Sequence, residues 1–298
     1  MKRNIYSYSK LWMIFFVLMG AACTNQVEDA IPVSGQPIEF SVLSDWKEIP
    51  NTRLNDGKTQ FKDSDSIQIF GFHKSLSGEV KKFMYRVNEP ARGQKVGFDG
   101  KDWNYSPKRF WPKEGTLDFY ASYPDYSVLN EEDKMTYVQP DFNPLGVDLL
   151  WGLATDRNCA KAEIVPIWMV HALAKVNIFF DSSLGDIKKV IVSAYKAGYF
   201  SIAADNGVPI WSIDDKKGFQ EATFESSSKI YDVTVFILPE KITGLKLIFD
   251  DKVIDASEEI KKHTFEAGKV YNLKISKGVQ KKNTNSRSIA MSVRCVSE

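Results

Sequence analysis

The 298-residue sequence predicts an all-β protein: two β-sandwich domains in tandem behind an N-terminal export signal. Three observations predict it. Apolar residues recur at every second position in a series of short segments, the period of a strand with one buried face. These segments lie roughly 8–12 residues apart with Gly-, Asn- and Asp-containing turns between them, the spacing of sandwich and barrel strands. Apolar residues spaced three and four apart over helix length are missing, and only the stretch around Leu129–Asp133 reads as a helical turn.

The chain opens with Lys2, Arg3 and Lys10, followed by an unbroken run of apolar or small residues from Leu11 to Ala22 and then Cys23. A basic start, a short apolar core and small residues before a cut describe a secretory signal. Twelve residues are too few to span a bilayer, which takes about 20. Gly20-Ala21-Ala22-Cys23 points to cleavage before the cysteine and lipidation of Cys23, as in bacterial lipoproteins. The alternative is plain secretory cleavage near Ala22 that leaves Cys23 as a thiol. Residues 1–22 are thus assigned to the signal and 23–36 to a polar tether, which places the mature protein outside the cytoplasm.

The first sandwich is expected over 37–165. Its strands are Ile38–Val42, Ile67–Phe72, Phe83–Val87, Trp103–Tyr105 and Leu117–Tyr123, the last closed by Pro124. A helical turn is expected within Ser127–Met135, and Val165-Pro166 marks the boundary. The second sandwich, 166–276, carries strands at Ala174–Phe180, Ile187–Ala194, Tyr199–Ala203, Val233–Leu238, Leu245–Phe249 and Val270–Ile275. Asn206-Gly207, Thr243-Gly244 and Ala267-Gly268 punctuate them, and Asp214-Asp215-Lys216-Lys217 reads as a hairpin tip. Residues 277–298 form a polar linker and a strand-like tail, in which Ile289, Met291, Val293 and Cys295 alternate onto one face.

Composition excludes several functions. With 39 basic and 38 acidic side chains there is no positive field to condense on nucleic acid. The cysteines are Cys23, Cys159 and Cys295, with no C-x-x-C pair, and His73, His171 and His263 are scattered. No metal site or cofactor is expected. Neither G-x-S-x-G nor H-E-x-x-H occurs, so no motif supports catalysis; the chain is read as non-enzymatic, with a secreted hydrolase on a β scaffold as the third alternative. His171, in an apolar run, is expected to be a satisfied core or interface histidine. Asp63, Asp65 and Asp99 lack EF-hand spacing and are assigned to turns. Whether Cys159 and Cys295 pair is left open, since a disulfide needs Cα atoms within about 7 Å. Trp103, Tyr105, Trp111, Tyr123 and Tyr126 admit two readings: rings on which sugars stack, or core packing.

One ordered set of motifs is specific. Asp65-Ser66-Ile67-Gln68-Ile69-Phe70-Gly71-Phe72, Phe83-Met84-Tyr85, Trp103-Asn104-Tyr105-Ser106-Pro107-Lys108-Arg109-Phe110-Trp111-Pro112 and Leu117-Asp118-Phe119-Tyr120-Ala121-Ser122-Tyr123-Pro124 follow one another. Asp148-Leu149-Leu150-Trp151-Gly152 and Val170–Val176 come after them. The series resembles the fimbrillin-like proteins of Bacteroidetes, most closely over Ile38–Lys175. Gln68 stands where that pattern has glycine, and Phe110 and Ser122 where it has tyrosines. Glu28 and Asp29, just past Cys23, are similar to the surface-export signals of lipoproteins from the same group.

The resemblance implies a two-domain sandwich lipoprotein that is a subunit, anchor or tip adhesin of type V pili. Its partners would be other fimbrial subunits, the outer membrane through the lipid, and a host or bacterial surface ligand. It also implies that a protease removes an N-terminal strand, and that the groove then accepts a strand from a neighbour's C-terminal region. Arg53, within Asn51–Gly57, is the processing site that fits, with Ile38–Val42 as the strand released. Ile289, Met291 and Val293 are the donor side chains that fit. The tail also reads as an ordinary last strand docked on its own chain, or as a disordered end. A monomeric glycan-binding surface lipoprotein is the alternative function.

Overall fold

The computed structural model describes residues 31–44, 61–125, 128–130, 137–139, 148–201, 209–277 and 291–295. Before Ala172 these form twelve strands: β1 (Val33–Pro37), β2 (Phe40–Ser44), β3 (Ser66–Lys74), β4 (Val80–Met84), β5 (Gln94–Phe98), β6 (Trp103–Asn104), β7 (Phe110–Pro112), β8 (Thr116–Tyr123), β9 (Val128–Asn130), β10 (Tyr137–Gln139), β11 (Leu150–Asn158) and β12 (Val165–His171). Ten follow: β13 (Ala174–Phe180), β14 (Lys189–Tyr195), β15 (Gly198–Ser201), β16 (Trp211–Ile213), β17 (Phe219–Glu225), β18 (Asp232–Ile237), β19 (Ile242–Ile248), β20 (Val253–Asp255), β21 (Val270–Lys277) and β22 (Met291–Cys295). The one α-helix among the described residues is the single turn α1 (Ser257–Ile260). No helix among them is long and apolar enough to cross a membrane.

An eight-stranded sheet dominates the N-terminal half, in the order β2-β12-β11-β8-β3-β5-β6 with β4 also on β3. Alternation in β8 turns Leu117, Phe119 and Ala121 into one core, joined by Ile67 and Ile69 of β3 and Val165, Ile167 and Met169 of β12. The pair β1–β7 covers that core, and Trp111 on β7 packs edge-on to Phe119 with ring centroids 6.3 Å apart. The tight turn into β8 requires Gly115: its φ is +85°, and a Cβ there would lie 2.3 Å from the Lys74 carbonyl oxygen.

In the C-terminal half two four-stranded sheets, β18-β13-β21-β22 and β17-β14-β19-β20, face each other. Val176 and Ile178 of β13 meet Val190 and Val192 of β14, with Leu245 and Leu247 of β19, in a second core. A third cluster joins the halves, with Phe70, Trp151, Ala172, Leu173, Phe200 and Leu238. Strands from both halves share the sheet β16-β15-β10-β9 above it.

Three expectations are corrected. The boundary does not fall at Val165-Pro166, because both residues are ladder partners of β2 and Val165 is in the first core. The core changes after Ala172-Leu173 instead. Pro166 is tolerated because β12 pairs with β11 only from Trp168 onward, so the missing N–H is not needed there. The tether is shorter than assigned, since Val33–Pro37 is a strand on β7. Val128–Asn130 forms a ladder with Tyr137–Gln139, and residues 131–136, on which most of the expected helical turn falls, lie outside the described residues. Asp215–Lys217 is a 3₁₀ turn, but it links β16 of one sheet to β17 of another and so is no hairpin tip.

Candidate strand-exchange edges

Residues 31–44 form one strap along the edge of both N-terminal layers. β1 pairs antiparallel with β7, and the Lys113 amide donates to the Pro32 carbonyl at 2.9 Å. The Gln36 side chain donates to the Ala162 carbonyl at 3.0 Å. β2 then runs parallel to β12, from Phe40 opposite Val165 to Ser44 opposite Met169. Nothing pairs with the other side of β2 among the described residues, so it is the last strand of its sheet.

The strap is an edge by hydrogen bonding and a core element by packing. Ile38 is fully buried, and Phe40 and Val42 are each 7% exposed. The Ile38 amide donates to the Arg109 carbonyl at 2.9 Å, and its own carbonyl accepts from the Tyr105 hydroxyl at 2.8 Å. Burial of that phenol pushes its pKa above the ordinary tyrosine value. The Phe40 ring stands edge-on to Phe119 at 5.3 Å and tilted to Tyr105 at 5.9 Å. Taking the strap away opens one side of the β12 ladder and uncovers the core beneath these three side chains. Both are costly to leave open to water.

The outward side of this edge is also apolar. Leu43 and Trp168 are register partners, 53% and 54% exposed, and Trp168 pairs on its other side with half-buried Leu153.

The second edge is the tail. β22 lies antiparallel on β21, with Met291 opposite Lys277, Val293 opposite Ile275 and Cys295 opposite Leu273. Of the three readings open for the tail, its own chain's sheet edge is the one occupied here. Leu273 and Ile275 are fully buried, so the alternate positions Val293 and Cys295 stand across from the core-facing residues of β21. Met291 and Val293 therefore lie in a strand, whereas Ile289, Cys23, Arg53 and Tyr126 lie outside the described residues.

Other candidate residues take structural roles. Tyr105 and Trp111 are buried, and half-buried Trp103 and Tyr123 pack against Phe61 at 4.9 and 5.7 Å, so these four rings serve core packing. The Asp99 carboxylate accepts from the amides of Asp102 and Lys101 at 2.7 and 3.0 Å, which holds its pKa below the ordinary value, and Asp65 accepts from the Lys62 amide. His73 is buried against the Glu114 carbonyl at 2.9 Å. His171 contacts Asp148 at 2.6 Å beside the junction of the halves. Cys159 is a free, buried thiol in the first core, so no bond joins it to Cys295. No group of three His, Cys, Asp or Glu among the described residues is placed to hold a metal.

Two features of the edge went unread in the sequence. Trp168 is one, since it follows Pro166 in a segment whose sequence lacks apolar–polar alternation. The other is an internal echo. Ile38-Glu39-Phe40-Ser41-Val42-Leu43-Ser44 and Ile289-Ala290-Met291-Ser292-Val293-Arg294-Cys295 align without a gap, identical at the Ile, Ser and Val positions. A search for short-period repeats misses it, because the copies sit at opposite ends of the chain.

A profile of fimbrillin-like proteins matches residues 52–290. The chain belongs to the fimbrillin-like family. Among solved structures, a candidate cell adhesion protein from Bacteroides ovatus aligns with a TM-score of 0.52 at 13% identity, covering 88% of this chain and 96% of that one. One from Bacteroides uniformis aligns at TM-score 0.49 and 12% identity, covering 87% and 97%, and one from Bacteroides thetaiotaomicron at 0.45 and 18%, covering 84% and 100%. No curated protein sequence matches the chain.

Proposed function

We propose that this fimbrillin-like chain is a non-enzymatic cell-surface lipoprotein, a fimbrial subunit or fimbria-associated adhesin that assembles by donor-strand exchange. Lipid on Cys23 holds it to the outer membrane, and its partners are other fimbrial subunits. The family supports the fimbrial setting, and the solved structures it resembles include candidate adhesion proteins. One observation carries the exchange reading. The strap that closes the first core is an edge strand with buried Ile38, Phe40 and Val42, and the tail repeats that pattern at Ile289, Met291 and Val293.

The chemistry is that of strand addition. Cleavage at Arg53 frees the strap to dissociate. The vacated β12 edge then offers unpaired backbone groups and a strip of core. An incoming strand satisfies both, its backbone completing the ladder and its alternate side chains filling the pockets. Three buried aliphatic side chains contribute roughly 5–9 kcal/mol gross, an upper bound before ordering costs.

The test uses the chain from Thr24 to Glu298 before and after cleavage at Arg53, mixed with a fluorescent peptide of residues 287–298. Only the cleaved chain should hold the peptide through size exclusion. Equal retention by both forms, or by neither, removes the exchange reading.

A further inference from the structure

The geometry points to one register and one selecting side chain for that exchange, an inference that rests on the donor-strand reading. We infer that the tail of a second copy enters parallel to β12 with Ile289, Met291 and Val293 at positions 38, 40 and 42. In that register Arg294 is brought onto the exposed indole of Trp168.

The register follows from the alignment of the two heptapeptides. Valine replaces valine in the pocket of Val42, and isoleucine replaces isoleucine in that of Ile38. Methionine takes the place of Phe40, an apolar side chain flexible enough to fill the irregular gap beside Phe119 and Tyr105. Ser292 matches exposed Ser41. A shift of two residues puts either Arg287 at position 38 or Cys295 at position 42. A shift of one turns Ser292 and Arg294 inward, because side chains alternate.

Once the pockets are filled this way, the next outward position is settled. Leu43 is the residue across from Trp168, so position 294 takes that place. The chain's own strand puts a leucine there, which leaves both side chains more than half exposed. The tail puts an arginine there. A guanidinium is planar, weakly hydrated and well matched to an indole face, and its aliphatic stem covers apolar surface. The tail therefore differs from the strap at the one outward position where an aromatic waits. Trp168 does nothing for the first core, whose β12 residues are Val165, Ile167 and Met169. Its role is to favour a donor strand with a cation at this register over one without.

Two measurements on the cleaved 24–298 chain test this. First, Trp168→Cys in the chain is combined with peptide 287–298 carrying Cys295→Ser and a single cysteine at 292, 294 or 296. Paired residues in a ladder lie within disulfide reach, so oxidation should trap the 294 peptide well ahead of the other two. Second, Trp168→Ala and Arg294→Ala should each weaken peptide binding about two- to fivefold, and the pair together no more than either alone. Trp168 is exposed, so its loss leaves folding intact, which the unfolding midpoint of the variant checks. Trapping at 292 or 296, equal trapping at all three, or fully additive effects overturns the inference while the exchange reading stands. Failure of the unaltered peptide to bind the cleaved chain overturns both.

Discussion

Replacing Phe40 by alanine separates a strand that merely lies along an edge from one that completes a core. The ring is 7% exposed and packs on Phe119 and Tyr105. Deleting a buried phenylalanine costs about 3–5 kcal/mol, and a strand at a sheet edge can partly collapse onto the vacancy, which favours about 3. A typical stability of about 5–15 kcal/mol makes that a large fraction. Phe40→Met keeps most of the volume and should cost less than about 1.5 kcal/mol. Leu43→Ala, on the exposed side, should cost about 1 kcal/mol or less. The assay is urea unfolding followed by tryptophan fluorescence. Trp103, Trp111, Trp151 and Trp168 precede β13 and Trp211 alone follows it among the described residues, so the signal reports mainly the N-terminal half. At about 1–3 kcal/mol per molar urea, Phe40→Ala should lower the midpoint by about 1–3 M. A shift near zero would show that the strap is dispensable to the core. A loss as large for methionine as for alanine would show that the tail's Met291 cannot stand in for Phe40.

Three further outcomes are expected. Gln68 and Ser122 are both fully buried and bonded at 2.9 Å, and Gln68 also accepts from the Gly93 amide at 3.1 Å. Gln68→Gly should therefore cost about 2–4 kcal/mol in urea unfolding through an unsatisfied donor and a cavity. Adding Ser122→Tyr should recover part of that, whereas Ser122→Tyr alone should be the most damaging of the three. The Asp181 carboxylate accepts from Ser183 at 2.9 Å and from Lys274 at 3.0 Å, and these bonds hold its folded pKa well below the ordinary 3.8. Its support is then present above the unfolded pKa and lost as pH falls below it, so Asp181→Asn should flatten the drop in unfolding midpoint between about pH 5 and pH 2.5. Burial pushes the Cys159 thiol up to about 11, and in a chain from Thr24 carrying Cys295→Ser it should resist a thiol reagent at pH 8 until urea unfolds the protein.

Alternation made most of the fold readable. Leu117–Tyr123, Ala174–Phe180 and Val270–Ile275 each turn a regular apolar face inward, and each was assigned from that period alone. The strands left unread lack it. β17, Phe219–Glu225, is exposed on one side and only half-buried on the other, and β12 carries apolar residues on both faces with a proline at its second position. The pairing partners could not be read either, since β2 meets β12 across most of the half and nothing local encodes that meeting. The departures from the family pattern are instructive. Gln68 and Ser122 looked like two independent exceptions, yet they are register partners on β3 and β8. Where the pattern that the motifs resemble has glycine and tyrosine, this chain has a hydrogen-bonded pair. A contact across strands explains both, and one sequence read linearly cannot display it.

The placement of the two matching heptapeptides argues for exchange over mere loss. A strand within a sheet bonds on both sides, so its removal breaks two ladders and splits the layer. Among the described residues β2 and β22 each bond on one side only, to β12 and β21. The tail can leave at the expense of a single ladder and the strap at the expense of two, β2 on β12 and β1 on β7, while the rest of the eight-stranded sheet stays intact. Edge position alone would make a strand easy to shed and cheap to do without. The strap that ends in β2 is different because its Ile38, Phe40 and Val42 reach the centre of the first core, so an empty edge cannot persist in water. The strand can leave, and its place must then be filled. A segment that fills it must carry apolar residues at every second position and arrive on a tether long enough to reach another molecule. Residues 278–290 separate the tail from β21, and 13 residues extend up to about 43 Å. The tail has the reach, the period and three of the seven residues of the strand it would replace.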